Sequence, residues 1–152
     1  MDELLEYHKD RIQKILKLYK MNIFEIAKLT KINNNTIKSY NNLQRIPETL
    51  TILSITTTFG ISVDWLYGIT NKPYTEESIR LAENQCYMKF RVTIPYKQNT
   101  QYSLEARANL IVLRQYEQIL KETIRKTTRL KKIQKEIEEI AETGNPKYKL
   151  EQ

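Results

Sequence analysis

The stretch TKINNNTIKSYNN, Thr30 to Asn42, sets Asn33, Asn34 and Asn35 in a row and then turns to spaced apolar residues, Ile37 and Tyr40. Asparagine competes with the helical backbone for hydrogen bonds and is a mediocre helix former. At a helix boundary the same competition is useful, because its side chain satisfies an amide that the first turn leaves without a partner. Asn33 is therefore expected to cap a helix whose inner face carries Ile37 and Tyr40. A solvated turn and cap is the plainest reading of three asparagines taken alone.

Around this stretch, residues 1–70 read as a run of short helices. Ile12, Ile15, Leu16 and Tyr19 recur at helical spacing. Asn22 is placed to cap a second helix bearing Ile23, Ile26, Ala27 and Leu29. A fourth follows Pro47, with Leu50, Ile52, Leu53, Ile55 and Phe59, and Gly60 is its expected C-cap. A short one around Asp64, Trp65, Leu66 and Tyr67 runs into Gly68, with Trp65 in the core. The fourth segment, LTILSITTTF, is rich in β-branched residues, and propensity alone makes it a strand. Its apolar spacing does not decide between the two.

Residues 71–103 form a connector of a different kind. Pro73 opens it, and Thr75 with Glu76 and Glu77 starts a helix to about Gln85. In CYMKFRVTI, Cys86, Met88, Phe90, Val92 and Ile94 then alternate with Tyr87, Lys89, Arg91 and Thr93. That period of two predicts a strand over 86–94 with one buried face. A lone strand is unstable. It either pairs with the same strand of a second subunit or is the tail of a longer helix.

Residues 104–152 read as a long helix and a tail. No Pro or Gly occurs in 104–141, and Ser103 is a candidate cap. Val112, Tyr116, Ile119, Thr123, Lys126, Leu130, Ile133, Ile137 and Ile140 make a heptad pattern with two polar interruptions, Thr123 and Lys126. Leu113, Leu120 and Ile124 broaden the stripe in its first half, and Gly144 and Pro146 end it. Such a helix would be roughly 57 Å long. Its apolar side needs either the N-terminal helices or a second copy, and the second copy is favoured.

The net charge of +7 and pI of about 9.4 favour polyanionic partners. The surplus is spread as +2, +2 and +3 over residues 1–70, 71–103 and 104–152, so a basic face must come from folding. Cys86 is the only cysteine, which rules out an intrachain disulfide and fits the cytoplasm. MDELLEYHKDR lacks the apolar core of a signal peptide, and no run of 18 apolar residues predicts a membrane span. One Cys and one His argue against a zinc site, and His8 is expected to face solvent. No cofactor or metal ligand set is read.

The order of features over residues 11–68 resembles the DNA-binding domain of lambda-repressor-like (XRE-type, Cro/CI-type) helix-turn-helix transcriptional regulators. Arg11-Ile12 opens it, Ile26-Ala27 stands in the second helix, and Ile32-Asn33 precedes Thr36-Ile37. Gln44-Arg45-Ile46-Pro47 forms the loop, and Phe59-Gly60-Ile61-Ser62-Val63-Asp64-Trp65-Leu66 with Gly68 closes it. The resemblance covers 58 of the 152 residues. It departs at Lys31 and Leu43, where such domains usually have Gly, and at Asn41, where Glu is usual. It implies helix for LTILSITTTF. The fold expected is mainly α: a five-helix DNA-binding domain over 1–70, a short β-strand region, and a long C-terminal dimerisation helix.

In this motif the start of the third helix enters the major groove. Asn33, Asn34, Asn35, Thr36, Lys38 and Ser39 are then the DNA-binding candidates, with Gln44 and Arg45 in the loop. A side-chain amide both donates and accepts, which matches adenine's edge, at roughly 1–3 kcal/mol of discrimination for each bidentate pair. Arg45 reads equally as a phosphate contact or a free surface charge. Arg11, Lys14 and Lys17 read first as solvated helix charges. The expected function is a phage or mobile-element type repressor binding double-stranded operator DNA as a homodimer through residues 86–141.

The alternative is an interaction module, an antitoxin or a binder of an antirepressor protein, acting through the C-terminal helix. Arg125, Lys126, Arg129, Lys131, Lys132 and Lys135 could instead add nonspecific DNA contact, although a charged helix face is usually only solvated. Enzymatic activity is not expected, because residues 71–152 offer no nucleophile beside a general base.

Overall fold

A computed structural model describes residues 2–42, 44, 48–123 and 127–150. Among them are eight helices and no strand: α1 (Asp2–Leu18), α2 (Ile23–Thr30), α3 (Asn34–Asn41), α4 (Thr49–Phe59), α5 (Val63–Leu66), α6 (Glu76–Phe90), α7 (Leu104–Lys121) and α8 (Thr127–Thr143). Helix α1 packs on α3 and α5, and α2 packs on α3, α4 and α7.

Helix α4 forms against its β propensity because packing of its apolar face outweighs that preference, while its hydroxyls bond carbonyls of the preceding turn. Thr57 Oγ1 donates to Leu53 O at 2.7 Å and Thr58 Oγ1 to Ser54 O at 2.7 Å. Ile52, Ile55 and Phe59, at helical spacing, enter the core. Gly60 ends the helix at φ 73°, donating its N–H to Thr56 O.

The strand expected over 86–94 is absent. Residues 86–90 are the last turns of α6, where Ile79, Ala82 and Cys86 are fully buried at helical spacing. Met88, assigned to the buried face, is 61% exposed. Arg91 in the left-handed region (φ 55°) stops the helix. Val92 and Ile94 then lean on the core from an extended stretch, and Arg114 Nε donates to Thr93 O at 3.1 Å. The alternation is local, and among the described residues no strand pairs with it.

The single long helix is also corrected. The chain turns at Glu122–Thr123, and α8 returns antiparallel along α7. Gln134 Nε2 bonds Glu117 Oε2 at 3.1 Å near the turn, and Tyr102 hydroxyl reaches Ala141 O near the far end. Ile133, Ile137 and Ile140, expected to face a second copy, are buried within the one chain. Closing a short loop costs less entropy than bringing two molecules together, so the apolar stripe is covered internally. Thr123 marks the turn; Ile124, Arg125 and Lys126 lie outside the described residues.

Helix α7 is central. Leu110, Ile111, Val112 and Leu113 are buried in succession, which happens only when a helix is covered all round. It packs on α2, α4, α6 and α8. Buried Asn109 ties down the tail: Oδ1 accepts from the Lys147 and Tyr148 amides at 2.8 and 2.7 Å, and Nδ2 donates to Tyr148 O at 2.9 Å.

Two N-terminal expectations change as well. His8 and Arg11 are buried rather than solvated. Helix α5 has only four residues and leaves carbonyls without helical partners. His8 Nδ1 donates to Leu66 O at 3.1 Å, while Arg11 donates to Trp65 O and, at 3.0 Å, to Thr70 O. The guanidinium also lies over the buried Trp65 ring. Lys14 pairs with Asp10 at 3.2 Å on the surface, and Lys17 is exposed.

Candidate nucleic-acid interface

Helix α2 begins with a capping box. Asn22 Oδ1 accepts from the Glu25 amide at 2.8 Å, and Glu25 Oε1 accepts from the Asn22 amide at 3.0 Å. It ends at Lys31, which takes the left-handed conformation (φ 59°) that such a turn requires. Ser54 Oγ donates to Thr30 O at 2.6 Å and holds this end against α4.

Helix α3 follows after Ile32 and Asn33. Asn33 Oδ1 accepts from the Asn35 amide at 2.8 Å, the capping role expected of it. Ile37 and Tyr40 are buried, and Gln13 Nε2 donates to Asn41 O at 2.8 Å, fixing the helix to α1. Asn33, Asn34, Asn35 and Lys38 are exposed, and Thr36 is half-buried. Ser39 departs from this group: it is 9% exposed and its hydroxyl donates to Thr36 O at 2.7 Å. Gln44 is exposed just beyond the helix, its amide bonded to Ser39 O at 2.8 Å. Arg45 lies outside the described residues.

An open groove between α2 and the start of α3 is lined by Phe24, Lys28, Lys31, Ile32 and Asn34. Phe24 is 66% exposed there, an aromatic ring beside two lysines. The 22 residues between Glu25 and Glu48 contain Lys28, Lys31, Lys38 and Arg45 and no acid. Lys89 approaches from α6, where Nζ donates to Leu29 O and Thr58 Oγ1, both at 3.3 Å. Burial and then the Lys31 charge lower its pKa, as expected where cations gather. Phe24 and Lys89 were not among the residues singled out from sequence. Lys89 comes to this region only through the packing of α6, and no local pattern announces it.

The arrangement offers exposed amides at a helix start, where the dipole favours anions, flanked by lysines. Among the described residues no group of three His, Cys, Asp or Glu is placed to hold a metal. Burial pushes the Cys86 thiol up to about 11, away from reactivity. No helix among the described residues is long and apolar enough to cross a membrane. Compared with models of protein families, with curated proteins and with solved structures, the chain matches none.

Proposed function

We propose that the protein is a sequence-specific DNA-binding transcriptional regulator, a repressor of phage or mobile-element type that reads a palindromic operator as a homodimer in the cytoplasm. One observation carries the reading. The start of α3 presents Asn34, Asn35 and Lys38 outward, while Ile37 and Tyr40 anchor the opposite side. A helix held this way is apolar toward its own core and polar where a major groove would lie. Of the bases in the acid-free stretch 26–47, Lys31 and Lys38 form no ion pair among the described residues and supply charge for phosphate binding, while Lys28 pairs with Glu122 at 3.6 Å. The order of helices and caps over residues 11–68 adds its resemblance to XRE-type regulators.

Amides at Asn34 and Asn35 favour A·T pairs in the operator. Two copies would set two such helices about one DNA turn apart, roughly 34–36 Å. The heptad seam is not free for that contact, being buried within the chain. Leu53 of α4 and Leu81 of α6 line one open groove and are an exposed apolar surface for a second copy. The interaction-module reading drew on the same seam, and its burial moves the weight to α3.

The test is a genomic pull-down of bound DNA with the wild type and with Asn34→Ala/Asn35→Ala. The wild type should enrich a small set of A·T-rich palindromes that the variant loses. Identical fragments from both proteins would sink the assignment of α3.

A further inference from the structure

The mooring of α8 carries a second inference, which rests on the DNA-binding reading. Arg129, in the first turn of α8, lies 3.4 Å from Glu25 Oε1 and donates to Lys20 O at 3.1 Å. Both partners belong to the entry into α2, the helix that in a helix-turn-helix crosses the DNA backbone. The basic end of α8 is thereby held beside that crossing point.

The next residues along α8 are Lys131, Lys132 and Lys135. All three are exposed on its outer arc. Among the described residues none of them forms an ion pair, whereas the acids Glu136 and Glu139, further along, hold Lys147 at 3.5 and 3.9 Å. The helix has no acid in its first turn and no base in its last, the reverse of what its own dipole favours. Lys131, Lys132 and Lys135 lie beyond that first turn and hold no acid among the described residues, so their charge is open to an external polyanion.

We propose that Lys131, Lys132 and Lys135, with Lys20, form a phosphate-binding ridge that grips the DNA backbone flanking the segment read by α3. The ridge adds affinity and register without reading bases, because ammonium groups meet phosphates as point charges. It gives the C-terminal hairpin a role in the same complex.

The experiment uses the full chain, with fragments captured by the wild type and with random-sequence duplex, titrated over a salt series. Lys131→Gln/Lys132→Gln/Lys135→Gln should lower the slope of log K against log salt by about 0.9 for each phosphate that is no longer neutralised. Affinity at low salt should fall about tenfold or more on both DNAs, with the ranking of fragments kept. Asn34→Ala/Asn35→Ala should do the converse, losing the ranking and keeping the slope. An unchanged slope in the lysine variant overturns the ridge and leaves α3 standing. A wild type that binds neither DNA overturns both readings.

Discussion

Tyr116 of α7 donates its hydroxyl hydrogen bond to the carboxylate of Glu25 in α2 at 2.7 Å, across 91 positions of sequence. The other oxygen of that buried carboxylate caps α2 through the Asn22 amide and faces Arg129 of α8. One acid thus joins the first half of the candidate DNA-binding unit to both arms of the C-terminal hairpin. Burial and the neighbouring carboxylate push the Tyr116 phenol well above its ordinary pKa, so it stays a donor.

Tyr116→Phe removes that donor and with it one hydrogen bond to a buried carboxylate. The expected loss is about 1.5–3 kcal/mol, the range for hydrogen bonds to charged groups. Glu25→Gln should cost a similar amount, and the double variant should cost less than the sum. Urea denaturation of the three proteins checks this; strictly additive losses would show the two residues to be uncoupled.

The three asparagines should separate into two kinds. Asn33→Ala loses a cap and about 0.5–2 kcal/mol of stability. Asn34→Ala and Asn35→Ala leave stability unchanged or slightly higher, since Ala is the better helix former at an exposed site. Each instead loses roughly 1–3 kcal/mol of base discrimination. Thermal melts set beside binding to the captured DNA distinguish the two kinds.

Lys31 holds a left-handed conformation that costs a non-glycine residue about 1 kcal/mol. Lys31→Gly should therefore raise stability by about that amount. The same change removes a cation from the groove beside Asn34 and should weaken DNA binding. Stability and affinity moving in opposite directions is the result to look for.

Much of α1 to α5 was legible because local chemistry decides it. Asn22 and Asn33 cap as their positions suggest, and Gly60 ends α4. What failed depended on distant partners. Cys86, Met88 and Phe90 alternate, but Ile79, Ala82 and Cys86 keep the helical period that the core uses. The heptad seam was real, yet whether a second copy or the same chain covers it hinges on a turn at Glu122–Thr123. Thr123 and Lys126 interrupt the seam there, and the four consecutive apolar residues from Leu110 already exceed what one seam requires. Arg11 and His8 were misplaced because the carbonyls they serve lie more than 50 residues away.

His8 supplies a pH dependence. Burial lowers its folded pKa below the ordinary 6.5. Between those two values the unfolded chain binds more protons than the folded one, so stability declines as pH falls and levels off below the folded pKa. Urea midpoints measured from about pH 7 to about pH 5.5 should drop in the wild type. His8→Asn keeps an N–H donor for Leu66 O and should lack this part of the decline.

Gly144 closes α8 at φ 73°, its amide bonded to Ile140 O at 2.8 Å. A Cβ built there would stand 2.0 Å from the carbonyl oxygen of Gln101, a backbone atom in the segment leading into α7. Gly144→Ala therefore meets both the left-handed penalty, roughly 1–2 kcal/mol, and a clash that no rotamer relieves. The end of α8 must move away from Gln101, which also loosens the hydrogen bond between Tyr102 and Ala141. The Arg129 end is tied separately to Glu25 and should hold. Hydrogen exchange should show weakened protection around Ile140 to Gly144 and unchanged protection nearer the start of α8. Equal weakening along the whole helix would mean that the tether at Glu25 does not secure its basic end.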